Sequence, residues 1–342
     1  MREALTYDDV LLVPRYSEIK SRNEIDMGNE LDAHRWFDFP VISSPMDTIT
    51  ELDMAIAMAS NGALGVIHRY NKIQEQVEIV RKFKDAIKDA PVAAAVGISG
   101  DYLKRALNLY DVGVDIICVD VAHGHHVLME RALKSIRDEV GDNLHIMAGN
   151  VATAEGYLDL SDWGANSIRC NVGGGSICST RIQTGHGLPG LQTIMDCAAV
   201  QSKAKIIADG GIRSSGDAVK AFAAGADFVM IGSLLAGTDE TPGEVITTGP
   251  YAVRRQEKVY RGMASKEAQI EWKGNFSSNE GISTRVPYRG PVQNTIDDLK
   301  NGIRSGLSYS GCRNIFEFRK RAIFVKQTSA GLNESKTHIL RK

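Results

Sequence analysis

Short apolar segments rich in β-branched residues alternate with amphipathic segments over the first two-thirds of the chain. The amphipathic segments repeat apolar residues at helical spacing, as Ile73, Val77 and Val80 do, which predicts helices with one buried face. The clearest of these helical patterns cover residues 72–88, 126–140 and 215–224. The apolar segments are too short for helices and predict strands that are buried on both faces. They cover residues 41–44, 65–68, 93–96, 115–120, 145–149, 167–170, 205–208 and 227–232.

Strands that are buried on both faces and separated by helices form a parallel sheet, and eight such strands close a barrel. The pattern therefore predicts a (β/α)8 TIM barrel over residues 30–245, within a single domain that covers residues 1–342. An irregular N-terminal arm, residues 1–30, precedes the barrel.

The alternation stops between residues 246 and 290, and a helical pattern returns at 292–304. A long structureless insertion beside a barrel mouth is typical of a mobile lid, so we predict a flap at about residues 264–286. The polar C-terminal tail, residues 328–342, is predicted to be extended.

Composition excludes several classes of protein. Hydrophobic residues make up 43% and charged residues 24% of the 342 residues, and the net charge is −2, which gives no footprint for nucleic acid. No apolar run is long enough to span a membrane, and the first residues do not resemble a signal peptide. The five cysteines form no CxxC pair, which favours reduced thiols in the cytoplasm over a disulfide framework or a zinc site.

Polar and glycine residues follow the predicted strands, at the end of a barrel where active sites lie. The loops after the last two strands are small and contain glycine, which is typical of phosphate binding by backbone N–H groups. We therefore expect a nucleotide or sugar phosphate there. The residues after the strands include Ser43, Ser44, Met46, Asp47, His68, Arg69, Asp120, His123, Gly124, Gly149, Asn150, Asp209, Gly210, Gly211, Gly232 and Ser233.

The segment Gly173–Arg181 reads GGGSICSTR and follows the sixth predicted strand. Three consecutive glycines let backbone groups converge on a small ligand, and a thiol on such a turn is a candidate nucleophile. The alternative is a loop with a buried, inert cysteine, because a free cysteine packs as a small apolar side chain. These residues alone leave both interpretations of Cys178 open.

The motifs SSPMDTIT, GVIHR, GNVAT, GGGSICSTRIQTG, ADGGIRSSGD, GSLLAGT, YRGM and EGISTRVPYRG occur in this order along nearly the whole chain. Together they resemble the IMP dehydrogenase/GMP reductase family. The resemblance implies that Cys178 attacks C2 of a purine nucleoside monophosphate and forms a covalent thioimidate. It also implies a homotetramer without contacts to nucleic acid or membrane.

The resemblance further implies a role for individual residues. Asp120, Val121, Ala122 and Asn150 would face the nicotinamide cofactor. Carbonyls of Gly173, Gly175 and Cys178 would bind K⁺, with Glu334 and Ser335 contributed by a neighbouring subunit. The family often has glycine at position 171 and proline at position 174, where this chain has Asn171 and Gly174, so the K⁺ site is expected to be altered. Substrate would contact Ser44, Met46, Ser176, Asp209, Gly210, Gly211, Gly232, Ser233, Tyr260, Gly262 and Met263.

The direction of the reaction depends on the flap. Dehydrogenases of the family carry an Arg-Tyr pair there, whose arginine activates water, but this chain has neither residue type between Met263 and Glu280. Thr180 and Glu280 match the pair that protonates departing ammonia in reductases. The sequence therefore favours GMP reductase with NADPH over IMP dehydrogenase with NAD⁺, and an inactive nucleotide-binding regulator is a third alternative. Residues 83–92 leave no room for the regulatory modules of many dehydrogenases.

Some polar residues also have simpler interpretations. His123, His125 and His126 could suggest zinc, but no matching cysteine or acidic set accompanies them, so a cofactor-facing turn is favoured. His186 is interpreted as a loop residue and Arg213 as a surface charge. Ser43 and Asp47 could belong to a helix N-cap.

Overall fold

The computed structural model describes residues 2–250 and 254–337. Eight parallel strands close a barrel, which confirms the predicted architecture. Around the barrel they follow in the order Lys205–Asp209, Phe228–Ile231, Val41–Ser43, Leu64–Ile67, Ala93–Val96, Ile116–Asp120, His145–Val151 and Ser167–Cys170. Each predicted barrel strand lies within two residues of its observed bounds. In chain order, the described strands are β1 (Val10–Leu12), β2 (Asn29–Asp32), β3 (Arg35–Phe37), β4 (Val41–Ser43), β5 (Leu64–Ile67), β6 (Ala93–Val96), β7 (Ile116–Asp120), β8 (His145–Val151), β9 (Ser167–Cys170), β10 (Lys205–Asp209), β11 (Phe228–Ile231), β12 (Ile246–Thr248), β13 (Arg255–Arg261), β14 (Ser283–Pro287) and β15 (Phe324–Lys326).

Helices connect the barrel strands and cover the outside of the barrel. The three predicted helices are present, and the apolar face of α2 is buried at Ile73, Val77 and Val80. None of the described helices is long and apolar enough to cross a membrane. The described helices are α1 (Leu52–Ser60), α2 (Ile73–Ala86), α3 (Tyr102–Asp111), α4 (Val127–Val140), α5 (Ala154–Asp162), α6 (Thr180–Thr184), α7 (Gly190–Ala198), α8 (Ser215–Ala224), α9 (Lys266–Lys273), α10 (Val292–Tyr309), α11 (Ile315–Arg321) and α12 (Ser329–Glu334).

A β-hairpin formed by β2 and β3 packs into the barrel core from the amino-terminal ends of the strands. Leu31 and Phe37 belong to the same buried cluster as the inward-facing residues of the strands. The ring of Phe37 meets Phe228 edge-on, at a centroid distance of 5.7 Å. This apolar packing fills the amino-terminal end of the barrel, so the carboxyl ends of the strands are left open for a binding site.

His145, Asp32 and Ser167 form a buried hydrogen-bonded array beside this hairpin. Nδ1 of His145 lies 2.6 Å from Oδ2 of Asp32, and Nε2 lies 2.8 Å from Oγ of Ser167. A carboxylate can only accept, so Nδ1 carries the proton and Nε2 accepts the proton of the serine hydroxyl. His145 and Ser167 begin β8 and β9, at the opposite end from the functional loops, and both are fully buried. The array therefore stabilises the fold.

The stability of the protein is expected to fall between pH 7 and pH 5 through His145. Burial lowers the pKa of His145, the contact with Asp32 opposes this, and the net pKa lies below the ordinary value. When the pH falls below about 6.5, the ordinary pKa of histidine, the unfolded chain therefore binds a proton that the folded protein does not. The free energy of unfolding consequently decreases as the pH falls. His145→Gln should reduce this decline in the free energy of unfolding, measured with urea, by on the order of 1 kcal/mol. Equal declines in wild type and variant would contradict this, and His34→Gln, at an exposed histidine, is the control.

The segment 246–290 is not structureless, contrary to the sequence prediction. Strands β12, β13 and β14 form an antiparallel sheet, and α9 lies between β13 and β14. In β13, Lys258 and Tyr260 are buried, so a cationic side chain occupies an inward position. Its ammonium donates to the carbonyls of Thr238 and Thr241, which satisfies the buried charge. This lysine hides the period-two pattern that would have predicted the strand.

The terminal segments are more regular than predicted. In the N-terminal arm, β1 pairs antiparallel with β15 near the C-terminus. The tail is not simply extended, because α12 forms there and the side chain of Thr328 caps its first turn. Residues 338–342 of the predicted tail lie outside the described residues.

Candidate active site

A cavity of about 460 Å³ opens at the carboxyl ends of the barrel strands. Every substrate, cofactor, catalytic and cation-site residue that the sequence predicts within this chain lines it, from Ser44 to Glu280. The residues converge because the ends of parallel strands meet at one face of the barrel. The cavity is also lined by residues to which the sequence analysis gave no role, and these include Tyr70, Arg169, Gln269 and Lys273.

Cys178 lies on the cysteine loop, which we define as residues 172–188. Its sulfur lies 3.1 Å from Oγ1 of Thr180, and its backbone N–H donates to the carbonyl of Gly175. Cys178 is partly exposed, whereas the other four cysteines are buried. Among them, burial raises the pKa of Cys118 to about 12, which keeps that thiol protonated. The arrangement favours Cys178 as the nucleophile over the buried, inert alternative.

The end of the flap is hydrogen-bonded to the cysteine loop. The backbone N–H of Ser179 donates to the carbonyl of Glu280 at 2.9 Å, and that of Ile282 donates to the carbonyl of Ile177 at 3.0 Å. These bonds bring Glu280 to the same cavity as Cys178 and Thr180. The carboxylate of Glu280 accepts from the hydroxyl of Ser278 at 2.8 Å. The flap therefore packs on the loop that carries Cys178 and adds a carboxylate to the surroundings of this thiol.

Helix α9 of the flap docks on the barrel through an aromatic contact and ion pairs. The indole of Trp272 stacks on Tyr70 with ring centroids 5.7 Å apart. Arg261, just before the flap, contacts Asp47 at 2.6 Å and Glu271 of α9 at 2.6 Å. Asp47 is thus an ion-pair partner of Arg261. The interpretation of Asp47 as a helix N-cap is wrong, because Glu51 is the N-cap residue of α1. These contacts hold α9 against the rim of the cavity.

Arg169 is the centre of a buried charge network at the base of the cavity. Its guanidinium contacts the carboxylates of Asp120 and Asp209, the latter at 2.8 Å, and Asn150 also donates to Asp209 at 2.7 Å. Burial raises the pKa of Asp120, but the positive charges of Arg169 and Arg69 lower it by a larger amount. The pKa of Asp120 therefore lies below its ordinary value. Both carboxylates are therefore fixed in orientation and able to accept hydrogen bonds from hydroxyl groups of a ligand.

The sequence contains a pattern that marks Arg169 as a residue with a special role. It is a charged residue within the apolar strand segment SIRC, and a charge buried in a barrel needs a partner of opposite sign. Asp209 ends β10, which pairs with β9, and Asp120 ends β7, which lies beyond β8 on the other side, so both carboxylates are at the same face of the barrel as Arg169.

Another part of the cavity is built from glycine turns. Gly210 and Gly211 have φ values of 81° and 75°, which favour glycine and expose successive backbone groups. A Cβ on Gly232 would lie 3.2 Å from the sulfur of Met46 and 3.4 Å from the hydroxyl of Tyr260, so a larger residue would narrow this part of the cavity. The hydroxyl of Tyr260 lies 3.3 Å from that of Ser176. These groups form a polar, backbone-rich surface that suits an anionic group.

The histidines outside the barrel core form no metal site among the described residues. His125 contacts Asp159 at 2.7 Å, and His126 accepts the N–H of Leu128 as a helix cap. His186 is exposed and does not line the cavity, which supports its interpretation as a loop residue. Arg213 pairs with Asp8 and Asp217 and is a partly exposed surface charge, as expected.

Comparison with known proteins identifies the family. A family model described as the IMP dehydrogenase/GMP reductase domain matches residues 4–338. The chain belongs to the IMP dehydrogenase/GMP reductase family. It is 33% identical to inosine-5'-monophosphate dehydrogenase of Nitrosopumilus maritimus, covering 98% of each chain. It is 31% identical to GMP reductase of Leishmania donovani, covering 99% of this chain and 98% of that one.

A solved structure has the same fold over its whole length. It is a cysteine-to-alanine variant of GMP reductase from Trypanosoma brucei in complex with guanosine 5'-monophosphate. The TM-score is 0.92 with 29% identity, covering 99% of this chain and 98% of that one. The relatives are oxidoreductases of both kinds, so this family member is an oxidoreductase, and its specific activity is a separate question.

The chain lacks residues that some relatives carry. The alignment with the Nitrosopumilus enzyme extends over 475 positions, more than the 342 residues of this chain. In this structure α2 ends at Ala86 and β6 begins at Ala93. Residues 87–92 thus connect the two elements directly, at the place where the sequence predicted no room for regulatory modules.

Proposed function

We propose that the protein is a GMP reductase, which converts GMP and NADPH to IMP, ammonia and NADP⁺. The thiolate of Cys178 adds to C2 of the purine, and the C2 amino group takes up a proton and leaves as ammonia. Bound NADPH supplies a hydride to C2 of the resulting thioimidate. Collapse of this adduct breaks the C2–S bond, releases IMP and returns the thiolate, so atoms and charges balance.

The observation that carries this proposal is the set of side chains that meet where the flap packs on the cysteine loop. Thr180 Oγ1 lies 3.1 Å from the sulfur of Cys178, and Glu280 lines the same cavity. A hydroxyl and a carboxylate that line one cavity supply the groups needed to deliver a proton to a departing amine. Between Met263 and Glu280 the flap has no arginine, which the resemblance assigns to water activation in dehydrogenases. The cavity is thus better equipped to release ammonia than to activate water.

IMP dehydrogenase is the second candidate, and the names of the curated relatives favour it. Both activities share the nucleophile, the covalent adduct and the hydride transfer. They differ in whether ammonia or water exchanges with the adduct at C2, and this step decides between them.

We expect sustained turnover with GMP plus NADPH and at most a single-turnover burst with IMP plus NAD⁺. Absorbance of the reduced nicotinamide follows both mixtures, and ammonium and XMP are quantified as the diagnostic products. The physical reason is that the adduct can exchange ammonia through Thr180 and Glu280 but lacks a base for water. Sustained formation of XMP would overturn the reductase assignment and show that another group activates water.

We infer binding roles from the positions of the residues around this chemistry. The glycine turns at Gly210, Gly211 and Gly232, with Ser176, Ser233 and Tyr260, would hold the phosphate, and Asp209 would accept from the ribose hydroxyls. Ser44, Met46, Gly262 and Met263 would contact the base. Asp120, Val121, Ala122 and Asn150 would face the nicotinamide of the cofactor.

We also infer a cytoplasmic homotetramer. Free thiols at all five cysteines suit a reducing compartment. Exposed apolar residues on the β1–β15 ribbon, such as Leu11 and Val325, suit an interface between subunits. We infer no K⁺ at the carbonyls of Gly173, Gly175 and Cys178, where the resemblance implies it. The reason is that Arg181 already brings a positive charge to this turn.

A further inference from the structure

Arg181 joins the two ends of the cysteine loop. Its Nε donates to the carbonyl of Val172 at 3.1 Å, and its Nη2 donates to the carbonyl of Leu188 at 2.6 Å. Val172 and Leu188 also face each other in an isolated antiparallel bridge. One guanidinium therefore fastens both ends of the loop that carries Cys178, in a planar geometry that an ammonium group cannot reproduce.

Asn171 extends this contact beneath the glycine turn. Its Oδ1 accepts from Nη2 of Arg181 at 3.3 Å, and its Nδ2 points to the carbonyl of Gly210 at 3.4 Å. Asn171 is buried and has a φ of 148°, a conformation that favours glycine. The hydrogen bonds of its side chain offset the strain of this backbone conformation.

The two departures from the family pattern are coupled in space. A Cβ on Gly174 would lie 2.0 Å from Nδ2 and 2.6 Å from Cγ of Asn171. The asparagine side chain thus occupies the room that any larger residue at position 174, including proline, would need. Once Asn171 replaces glycine, position 174 must be glycine, and Arg181 holds the asparagine in place.

We propose that Arg181, with Asn171, is a positioning device that sets the geometry of the cysteine loop in place of a bound monovalent cation. A Cβ on Gly173 would lie 2.6 Å from Cγ and 3.1 Å from Nε of Arg181, so the arginine side chain packs directly over the Cα of this glycine and brings its positive charge to the turn. Like charges repel, so the attached guanidinium disfavours a dissolved cation at this turn. The carbonyl of Gly175 already accepts the N–H of Cys178. Turnover is therefore independent of K⁺.

The test compares wild type with Arg181→Gln in buffers that contain KCl, NaCl or choline chloride. The inference rests on Cys178 as the proposed nucleophile, so two readouts are used. Turnover is measured with whichever nucleotide pair the enzyme accepts, and the rate of Cys178 alkylation by iodoacetamide is measured without substrate. Alkylation reports the position of the thiol even if the direction of the proposed reaction is wrong.

We expect wild-type turnover and alkylation to agree within about twofold in all three salts. Arg181→Gln should lower turnover by about 10- to 100-fold, because small displacements of a reacting group have effects of this size. Guanidinium ion at a non-denaturing concentration should restore part of the loss, which a purely structural defect would not permit. Arg131→Gln, at an exposed arginine of α4, is the matched control. Activation of wild type by K⁺, or an Arg181→Gln variant without rescue or without loss, would overturn the proposal.

A second pair of variants tests the role of Asn171 independently of Arg181. Gly174→Ala should disturb the cysteine loop and change the alkylation rate of Cys178, because the new Cβ collides with the Asn171 side chain. Asn171→Gly in the same chain removes the collision but also the contact with Arg181. The double variant should therefore have an alkylation rate closer to wild type than Gly174→Ala alone, without reaching the wild-type rate. A double variant as impaired as Gly174→Ala alone would contradict the coupling and, with it, the proposed device.

Discussion

Replacement of Cys178 by serine is expected to lower turnover by at least about 10³-fold, because no covalent adduct with C2 of the purine can form. Binding of GMP, measured by calorimetry, should stay within about threefold, because the phosphate and ribose contacts do not involve the thiol. Of the five cysteines, Cys178 is partly exposed and the others are buried, so iodoacetamide should label it selectively. Bound GMP should protect it from labelling.

The control for this experiment is Cys312→Ala, which removes a buried cysteine that does not line the cavity. It should retain turnover and the labelling of Cys178. A Cys178→Ser variant with near wild-type turnover would remove the covalent mechanism altogether. Loss of both turnover and GMP binding would instead indicate that Cys178 positions the nucleotide.

Glu280→Gln is expected to lower GMP turnover by at least about 100-fold while it preserves hydride transfer. The glutamine keeps the size of the side chain and can still contact Ser278, but it can neither take up nor release a proton. The variant should therefore retain the burst of NADH with IMP plus NAD⁺, in which no ammonia is exchanged. Rapid mixing that follows nicotinamide absorbance separates the burst from steady turnover.

Glu267→Gln provides a matched control, because Glu267 is an exposed carboxylate on α9 of the same flap. It should leave both reactions unchanged. Equal losses of the burst and of GMP turnover in Glu280→Gln would show that Glu280 acts in flap closure or in hydride transfer. Such a result would remove the argument that the proton pathway determines the direction of the reaction.

The barrel could be predicted from the sequence because its signals are local. An apolar segment such as DIICVD at residues 115–120 is buried on both faces whatever its neighbours are, and the helix period of α2 is visible within one segment. The convergence of Asp120, Asp209 and Cys178 also follows from the sequence, because parallel strands bring their carboxyl ends to one face. For these reasons the predicted site residues line a single cavity.

The remaining features depend on contacts between residues that are distant in the chain, which no local pattern records. The period of β13 is hidden because Lys258 is buried against carbonyls near residue 240, and Arg169 is understood only with both of its carboxylate partners in place. The tertiary structure likewise explains why Gly174 accompanies Asn171, since their relation is the shared space within one turn. The sequence thus determined the architecture and the place of Cys178 in it, whereas the fold decided which charges and side chains surround that cysteine.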